Sequence, residues 1–323
     1  MEFQFLGTSS GTPTKTRNVS GLALRGPGGG WSLVDCGEGT QHRILHTPLS
    51  LHDLRAVFIT HLHGDHCYGL PGLLASAGMH NRTAPLTLVG PPPLRTFIDA
   101  VMATSELGLP YALDFIPVGE LAARAVLPDL AVDAIALSHR MPSYAYRFTE
   151  RAVERRLDAD RLRAAGVAPG PAWGELQRGL DVVLDDGRIL RAHEWMLAPR
   201  KARTIVVGGD NDDPDLLLDA ARTAQVLIHE ATYTEEVLRK VGPGPMHSSA
   251  LRVARMAAAA GLPNLVLTHF SPRYQDGDGP SSLAALEAEA RAAYPGNLFL
   301  ARDFERYVLD RDGLCRLAGA HPS

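Results

Sequence analysis

Four side chains that can bind a metal ion lie within six residues of one another: His61, His63, Asp65 and His66. They begin one residue beyond Thr60, which follows the apolar run 56–59 that is predicted to be a buried strand. Loops at the ends of strands are where α/β folds commonly place their chemistry. Two imidazoles with single-residue spacing can bind one ion, and the Asp-His pair that follows can turn toward a second. Imidazole and carboxylate suit Zn²⁺ or a similar first-row metal, because no thiolate is needed. The cluster therefore predicts a metal site, and a group of histidines on a solvated loop is the alternative.

Three further ligand-type side chains stand where later strands are predicted to end. His139 follows the run 134–138, Asp210 follows 204–209, and His269 follows 265–268. Strands of one sheet can bring such residues together at a single edge. Each residue alone is consistent with an ordinary polar side chain at a strand end. Their placement in order after the first cluster favours a shared metal site.

The composition indicates a globular chain. Its 323 residues are 45% hydrophobic and 21% charged, which allows a large core and argues against disorder. One sizeable α/β domain accounts for this length. The formal net charge of −4 does not point to a nucleic-acid partner, so an RNA-binding surface would have to be a local patch.

The cysteines and the N-terminal segment indicate in which cellular compartment the protein is expected. Cys36, Cys67 and Cys315 are too few and too scattered for a disulfide framework. Cys67 directly follows His66, but a buried reduced thiol is its more ordinary role. The N-terminal segment lacks a basic region and a long apolar stretch, which argues against a signal peptide, and no segment reaches the roughly 20 apolar residues that span a membrane. We therefore expect a cytoplasmic protein with no membrane partner.

Strand and helix patterns alternate along most of the chain. Strands are predicted at 4–6, 22–24, 31–34, 56–59 and 86–90, and helices at 41–45, 70–77 and 94–107. This alternation predicts the α/β class, and it does not give the number of layers.

One segment departs from the alternation. Residues 151–163 contain five arginines and three acidic residues, a local excess of two positive charges. A stretch rich in Gly and Pro follows at 166–174. A basic helix that leads into a stiff Gly/Pro turn is typical of a projecting arm, and a solvated surface helix and loop is the alternative.

The His-x-His-x-Asp-His pattern resembles the metal-binding signature of the metallo-β-lactamase superfamily. Further segments resemble motifs of the ribonuclease Z family, the tRNA 3′-processing endonucleases, in its short form. These segments are spread over nearly the whole chain: 5–14, 17–20, 35–41, 58–66, 69–74, 166–176, 229–232, 247–249 and 269–274. The chain departs from the family's motifs at Asn211 and Ser249, where the family has Thr, and at Pro272, where it usually has Ser.

The resemblance implies a four-layer αββα sandwich of the metallo-β-lactamase type. Residues 1–323 would form a single domain, with a projecting tRNA-binding arm inserted at about 150–180. Each chain would hold two metal ions, Zn²⁺ or else Mn²⁺. The resemblance to two-metal members of the superfamily implies the ligand sets: His61, His63 and His139 for one ion, Asp65, His66 and His269 for the other, and Asp210 as the bridge.

The resemblance also implies a reaction. A zinc-dependent endoribonuclease of this family removes the 3′ trailer from precursor tRNA by attack of metal-activated water, which leaves a 3′-hydroxyl on the tRNA. Two ions roughly 3.5–4 Å apart suit this chemistry, because they contact both the attacking and the leaving oxygen. Asp65 would accept a proton. His247 is not needed as a ligand, so it is free for the scissile phosphate or the leaving oxygen, and Glu230 would orient it.

Substrate contacts are expected in two parts of the chain. In the closing motif, Ser271 and Arg273 would contact tRNA phosphates. On the arm, four residues would contribute to holding the tRNA: Arg155, Arg156, Gly170 and Pro171. The expected partners are precursor tRNA and, by resemblance, a second copy of this chain in a homodimer, and no DNA partner is expected.

Two other functions are open at the level of sequence. A different hydrolase of the same fold, a phosphodiesterase or a sulfatase, could cleave a small substrate such as a cyclic nucleotide, a sulfate ester or a lactone. It would keep the metals and have no use for an arm. A non-catalytic, metal-folded RNA-binding module is the second alternative. Structural zinc sites are usually closed sites of Cys and His, so a carboxylate-bridged pair without Cys argues against it.

Overall fold

Strands and helices alternate through the residues that the computed structural model describes, 1–153, 156–277 and 279–319. The strands are β1 Glu2–Gly7, β2 Gly21–Arg25, β3 Trp31–Cys36, β4 Leu54–Phe58, β5 Leu86–Gly90, β6 Leu113–Pro117, β7 Leu130–Leu137, β8 Ser143–Glu150, β9 Val182–Val183, β10 Ile189–Leu190, β11 Thr204–Val207, β12 Val226–Glu230, β13 Asn264–Thr268, β14 Asn297–Leu300, β15 Arg306–Leu309 and β16 Cys315–Leu317. The helices are α1 Thr40–Ile44, α2 Gly64–Cys67, α3 Leu70–Met79, α4 Pro93–Thr104, α5 Ala159–Ala164, α6 Pro171–Gln177, α7 Leu218–Thr223, α8 Glu235–Val241, α9 Ala250–Ala259 and α10 Leu283–Arg291. Short 3₁₀ helices lie at Leu51–Asp53, Val118–Ala123, Ala192–Trp195 and Pro214–Leu217.

The first sheet is mixed and has the strand order β16-β15-β1-β2-β3-β4-β5-β6. Strands β3, β4, β5 and β6 run parallel. Parallel neighbours need crossover connections, and α1, α3 and α4 lie in the three crossovers. The carboxyl ends of β3 and β4 therefore lie at the same edge of the sheet.

The second sheet has the order β14-β13-β12-β11-β8-β7. Strands β11 to β14 are parallel, β8 is antiparallel to β11, and β7 is antiparallel to β8. Strand β7 thus runs in the same direction as β11. As a result, the carboxyl ends of β7, β11, β12 and β13 all lie at one edge.

The two sheets pack face to face around an apolar interior. The rings of Phe58 in β4 and Tyr146 in β8 lie 5.2 Å apart between centroids, and the Tyr146 hydroxyl donates to the Ile59 carbonyl at 2.7 Å. Helices cover the outer faces, where Leu73 of α3 packs on the first sheet and Val253 of α9 on the second. This arrangement is the four-layer αββα sandwich, as predicted. None of the described helices is long and apolar enough to cross a membrane.

Residues Arg151–Ala202 form a compact unit of their own, and Met1–Glu150 with Arg203–Ser323 form the other unit. The described part of the smaller unit has a small apolar cluster: Leu162, Val167, Leu176, Leu190 and Ala192. The predicted arm limits of about 150–180 stay a prediction. The compact unit includes that segment and continues to Ala202.

Local structure inside the smaller unit differs from the expectation. Among the described residues of the predicted basic helix, only Ala159–Ala164 are helical, as α5, whose first turn is capped by the Asp158 side chain. The predicted Gly/Pro turn is wrong from Pro171 onward, because α6 begins there. Proline favours the first position of a helix, since its fixed φ suits the helix and no N–H is left unpaired. A Gly/Pro-rich sequence therefore gave a helix start where only a turn was expected.

Candidate metal centre

The seven predicted ligands stand at strand ends of both sheets. His61, His63, Asp65 and His66 follow β4, and His139, Asp210 and His269 follow β7, β11 and β13. The structure brings their nitrogen and oxygen atoms into groups in which all atoms lie within 4.8 Å of one another. The groups are His61, His63, His139 and Asp210; Asp65, His66 and His269; and Asp210, His247 and His269.

In the first group, three imidazole nitrogens converge. Nδ1 of His63 lies 3.1 Å from Nε2 of His61 and 3.0 Å from Nε2 of His139. His61 is buried with 0% of its surface exposed, whereas His63 is partly exposed. The group therefore opens toward solvent on the side of His63.

In the second group, Nε2 of His66 and Nε2 of His269 lie 3.2 Å apart. Oδ2 of Asp65 lies 3.3 Å from the same nitrogen of His269 and accepts the backbone N–H of Gly11 at 2.7 Å. The Gly11 contact fixes the orientation of the Asp65 carboxylate beside the group.

Asp210 faces both groups with one carboxylate oxygen each. Its Oδ2 lies 3.5 Å from Nε2 of His61 and 3.7 Å from Nε2 of His139. Its Oδ1 lies 3.3 Å from the Nε2 atoms of both His66 and His269. The position predicted for a bridging carboxylate is thus the position that Asp210 occupies, and its role as a ligand stays a prediction.

Asp35 holds the Nδ1 atom of His66 directly and that of His61 through Thr60. Its Oδ2 accepts Nδ1–H of His66 at 2.7 Å and the Thr60 hydroxyl at 2.9 Å. Because that hydroxyl donates to Asp35, its oxygen accepts Nδ1–H of His61 at 3.0 Å. Both rings then carry a proton on Nδ1 and direct Nε2 toward the centre.

The rings of His139 and His269 are held in the same way. Nδ1–H of His139 donates to the Met246 carbonyl at 2.8 Å. The Thr232 hydroxyl donates to Glu230, so its oxygen accepts Nδ1–H of His269 at 3.1 Å. Four Nε2 atoms therefore point inward, and nitrogen atoms this close need a cation between them, either a proton or a metal ion. The donor set fits a divalent first-row metal.

The electrostatics agree with metal binding. Burial lowers the pKa of His61, His63 and His139, so these rings are neutral, which is the form that binds a metal. Burial would raise the pKa of Asp210, but His269 and His66 hold it well below its ordinary value.

The pKa values of Asp65 and His66 are also shifted in favour of their charged forms. Burial would raise the pKa of Asp65, but His66 and His269 lower it. Burial would lower the pKa of His66, but Asp210, Asp65 and Asp35 raise it well above its usual value. Carboxylates at this density stabilise a cation, which a bound metal would supply.

His247 and Glu230 form a pair beside the centre. Nδ1 of His247 lies 2.9 Å from Oε1 of Glu230 and 3.8 Å from Oδ2 of Asp210. Burial would lower the pKa of His247, but the Glu230 carboxylate raises it to about 9. The imidazole is therefore protonated at neutral pH and able to donate a proton. Its proximity to Asp210 and His269 also makes it the third member of a possible ligand group.

The residues of the closing motif contact one another. Nε–H of Arg273 donates to the Ser271 hydroxyl at 3.2 Å, and the guanidinium lies 5.2 Å from the ring centroid of Tyr233. The Tyr233 ring is 6.1 Å from the ring of His247. Arg273 is exposed and Ser271 is buried. The ring of Tyr233 thus lies between the exposed cation of Arg273 and the ring of His247.

The predicted arm residues lie in the smaller unit. Gly170 immediately precedes α6, and Pro171 is its first residue. The backbone carbonyl of Arg156 accepts the N–H of Leu197 at 2.8 Å. Arg155 lies outside the described residues. RNA binding by these residues stays a prediction.

Three residues that hold the ligands received no role from the sequence: Asp35, Thr60 and Thr232. Asp35 is the next-to-last residue of β3 and has φ 59°, a left-handed conformation that is rare for a residue with a side chain. Its signal was available, since it is a carboxylate directly after an apolar run, like Asp210. The two threonines gave no signal, because threonine is an ordinary strand residue.

This chain is similar to known proteins both in sequence and in fold. A profile of the family described as anti-Pycsar protein Apyc1 matches residues 1–103. A ribonuclease Z from Marinobacter nauticus is 56% identical over 322 residues, which cover 97% of this chain and 97% of that protein. The crystal structure of the short form of human tRNase Z is 27% identical, with 95% and 98% of the two chains covered and a TM-score of 0.65. The crystal structure of the metallo-β-lactamase fold protein YhfI from Bacillus subtilis is 18% identical, with 94% of this chain and 98% of that chain covered. Its TM-score of 0.63 shows that the two proteins share the fold.

Proposed function

Because this chain belongs to the ribonuclease Z family, we propose that it is a zinc-dependent endoribonuclease that removes the 3′ trailer from precursor tRNA. The cut leaves a 3′-hydroxyl on the tRNA. The observation that carries the proposal is the placement of Asp210, whose two oxygens face two groups of metal-binding side chains. The Glu230–His247 pair lies beside it. Together these residues provide what phosphodiester hydrolysis requires, namely a site for two metals and a proton donor.

The donor set fits two Zn²⁺ ions per chain, or Mn²⁺ in their place. The proposed ligands are His61, His63 and His139 for one ion, Asp65, His66 and His269 for the other, and Asp210 for both. When bound, such ions lower the pKa of water toward neutrality and stabilise the charge that develops on the phosphate.

Asp65 accepts a proton from the attacking water in this proposal. Its carboxylate is ionised, and the N–H of Gly11 holds one of its oxygens in place at 2.7 Å. A fixed carboxylate at this position loses no orientational freedom when the reaction occurs, which favours proton transfer.

His247 gives a proton to the leaving oxygen. Glu230 raises the pKa of this imidazole to about 9, so the proton is present at neutral pH. The Glu230 carboxylate accepts from Nδ1, which leaves Nε2–H to face the scissile phosphate. The leaving oxygen belongs to the tRNA, and its protonation produces the 3′-hydroxyl.

The substrate is held in two places. Arg273 contacts a phosphate close to the cut, supported by the Ser271 hydroxyl. Residues 151–202 contain ten Lys and Arg against eight Asp and Glu, a net +2 in a chain whose total is −4. This unit binds tRNA away from the chemistry, with Arg155, Arg156, Gly170 and Pro171 as proposed contacts. The enzyme is expected to act as a homodimer in the cytoplasm.

The test compares two substrates. Purified protein, with and without added Zn²⁺, would be incubated with a 3′-extended precursor tRNA and with bis-p-nitrophenyl phosphate. We expect zinc-dependent cleavage of both, and a 3′-hydroxyl on the tRNA product. Hydrolysis of the small ester without tRNA cleavage would instead identify a small-substrate hydrolase. RNA binding without hydrolysis of either substrate would identify a non-catalytic RNA-binding module.

A further inference from the structure

Asn211 lies next to the predicted bridging carboxylate and has no part in the proposed proton transfers. It directly follows Asp210 and is completely buried, with 0% of its surface exposed. A buried amide must satisfy its donors and acceptors inside the protein or lose stability. The partners that Asn211 uses for this purpose all belong to segments that carry the site.

The side-chain amide of Asn211 makes four hydrogen bonds. Its Oδ1 accepts the backbone N–H of Ser138 at 3.1 Å and that of Asp213 at 3.3 Å. Its Nδ2 donates to the Asp213 carbonyl at 2.8 Å and to Nε2 of His229 at 3.2 Å. Exchanging the oxygen and nitrogen would set donors against donors, so the network fixes the orientation of the amide.

The contact with His229 fixes Nδ2 of Asn211 as the donor. Nδ1–H of His229 donates to the Glu230 carbonyl at 2.7 Å, so Nε2 carries a lone pair that can only accept. Burial lowers the pKa of His229, so the ring stays neutral. His229 belongs to none of the metal-binding groups, and its place in the network is that of an acceptor for Asn211.

The Asn211 side chain joins two strand ends that deliver ligands. Ser138 immediately precedes His139 at the end of β7, and Asp210 follows the end of β11. A second link reinforces the first, since the N–H of Asp212 donates to the Ser138 carbonyl at 3.0 Å. The separation of His139 and Asp210 therefore depends on this buried amide.

The Asn211 peptide contacts the catalytic pair. Its N–H donates to Oε1 of Glu230 at 2.9 Å, the same oxygen that holds His247. Its carbonyl accepts the hydroxyl of Ser248 at 2.5 Å, and Ser248 directly follows His247. One residue thus touches the ends of two ligand strands, the carboxylate that orients the proton donor, and the loop that bears that donor.

We propose that Asn211 is a positioning residue of the hydrolytic site: its side-chain amide sets the ends of β7 and β11 against each other, and its peptide fixes Glu230 and the His247 loop. The inference rests on the proposed function, because it is the proposed ligands and proton donor that Asn211 positions. In this role Asn211 acts through the protein groups to which it is hydrogen-bonded, and not as a ligand or a substrate contact.

The chain offers a matched control in Asn264. This residue is also fully buried, and its amide also makes four hydrogen bonds. It lies at the first residue of β13, whereas His269 follows the other end of that strand. Asn264→Ala therefore removes an equivalent buried network at the end of the strand that does not bear the site.

The experiment measures Asn211→Ala and Asn264→Ala for Zn²⁺ affinity, thermal midpoint, and kcat and KM per metal-loaded molecule on both substrates. We expect Asn211→Ala to weaken Zn²⁺ binding and to lower kcat by roughly 10–100-fold, as is common when a residue behind the ligands is lost. KM for precursor tRNA should stay within about twofold, because the RNA contacts are elsewhere. Asn264→Ala should lower the thermal midpoint and leave kcat within about twofold.

Asn211→Asp separates positioning from loss of metal or fold. It keeps the shape and both acceptor contacts but removes both donors, and its negative charge favours metal binding. We expect a variant that retains its zinc and is still slower in kcat by about tenfold or more. If both Asn211 variants match the wild type in kcat and Zn²⁺ affinity, or lose no more kcat than Asn264→Ala, the positioning role is refuted. A wild-type protein that cleaves neither substrate would refute the proposed function instead, and the Zn²⁺ affinities would still decide whether Asn211 positions the ligands.

Discussion

At the scale of residues, the centre depends on the ring nitrogens that point away from it. His66, His61, His139 and His269 each donate Nδ1–H to a carboxylate, hydroxyl or carbonyl oxygen. An imidazole so held cannot rotate or change tautomer without losing a buried hydrogen bond, so its Nε2 stays directed inward. The geometry for metal binding is thus present before a metal arrives.

Replacing the shared carboxylate should reduce the metal content. Asp210→Ala removes both oxygens that face the two groups, so neither ion keeps its full coordination. Metal analysis of the purified variant should show the loss of at least one ion per chain. Asp219→Ala, at a side chain 92% exposed on α7, is the control and should bind as the wild type does. Retention of both ions and full activity by Asp210→Ala would mean that the site is wrongly assigned.

Replacing His247, the proposed proton donor, should separate chemistry from metal binding. His247→Ala removes the imidazole that Glu230 keeps protonated, and turnover should fall by something like 10²–10⁴-fold. Metal content, measured on the same preparation, should be unchanged. Because the ring lies within reach of Asp210 and His269, loss of metal would show instead that His247 is a ligand. His52→Ala, at an exposed ring on a 3₁₀ turn, is the matched control and should retain full turnover.

At the scale of elements, one carboxylate holds two helix starts. Glu289 of α10 accepts the backbone N–H of Glu235 at the start of α8 and that of Leu251 in the first turn of α9. Helix starts leave unpaired N–H groups and favour a negative charge. Since α9 begins directly after the His247 loop, the contact with Glu289 of α10 helps to fix the position of that loop.

Removing this carboxylate should reduce stability. Glu289→Ala leaves two partly buried N–H groups without their acceptor, and the free energy of unfolding should fall by about 1–3 kcal/mol. Glu287→Ala, on the same helix, removes a partly exposed i,i+4 ion pair with Arg291 and should change it by less than about 1 kcal/mol. Denaturant unfolding of both variants makes the comparison. Equal effects would show that the two helix starts do not depend on Glu289.

At the scale of the whole molecule, the smaller unit is an insertion in the chain after β8 and before β11. These two strands pair antiparallel in one sheet, and the N–H of Glu150 donates to the Arg203 carbonyl at 3.0 Å. The chain thus leaves the larger unit and returns to it at adjacent positions. A short bridge can join these positions without disturbing the sheet.

Deleting residues 151–202 and joining Glu150 to Arg203 with a short Gly/Ser bridge should separate the two activities. All seven predicted ligands lie in the larger unit, so zinc content and hydrolysis of bis-p-nitrophenyl phosphate should largely survive. Cleavage of precursor tRNA should collapse, mainly through weaker binding, because contacts remote from the chemistry position the substrate. Equal loss on both substrates would show that the unit is needed for the fold, and would remove the main physical support for its role in RNA binding.

Only the first part of the smaller unit could be predicted from the sequence, and its end at Ala202 could not. A shorter cut that ended at Leu176 would divide the apolar cluster of the smaller unit, which also contains Leu190 and Ala192. The sequence showed the basic and Gly/Pro-rich part of the insert, because composition is a local property. It did not show the far boundary, because the hairpin of β9 and β10 belongs to the unit only through packing.

By itself, the sequence determined the α/β class, the strand ends and the candidate ligands. Largely apolar runs of four to six residues, each followed directly or after one residue by a His or Asp, were enough to place His61, His139, Asp210 and His269 at strand ends, since a strand pattern and its terminal polar residue are both local. The motifs then pointed to the fold through resemblance. The four layers did not follow from periodicity.

Only the tertiary structure decided which atoms meet. Asp35 and His66, 31 residues apart, form a hydrogen bond, and Thr232 lies between Glu230 and His269. Asn211 gained its role from Ser138 and His229, neither of which marks it in the sequence. Such contacts depend on the pairing of strands and the packing of two sheets, which set distances between segments that no local pattern records. The type of chemistry was therefore encoded locally, and the orientation of each reacting group was set by the fold.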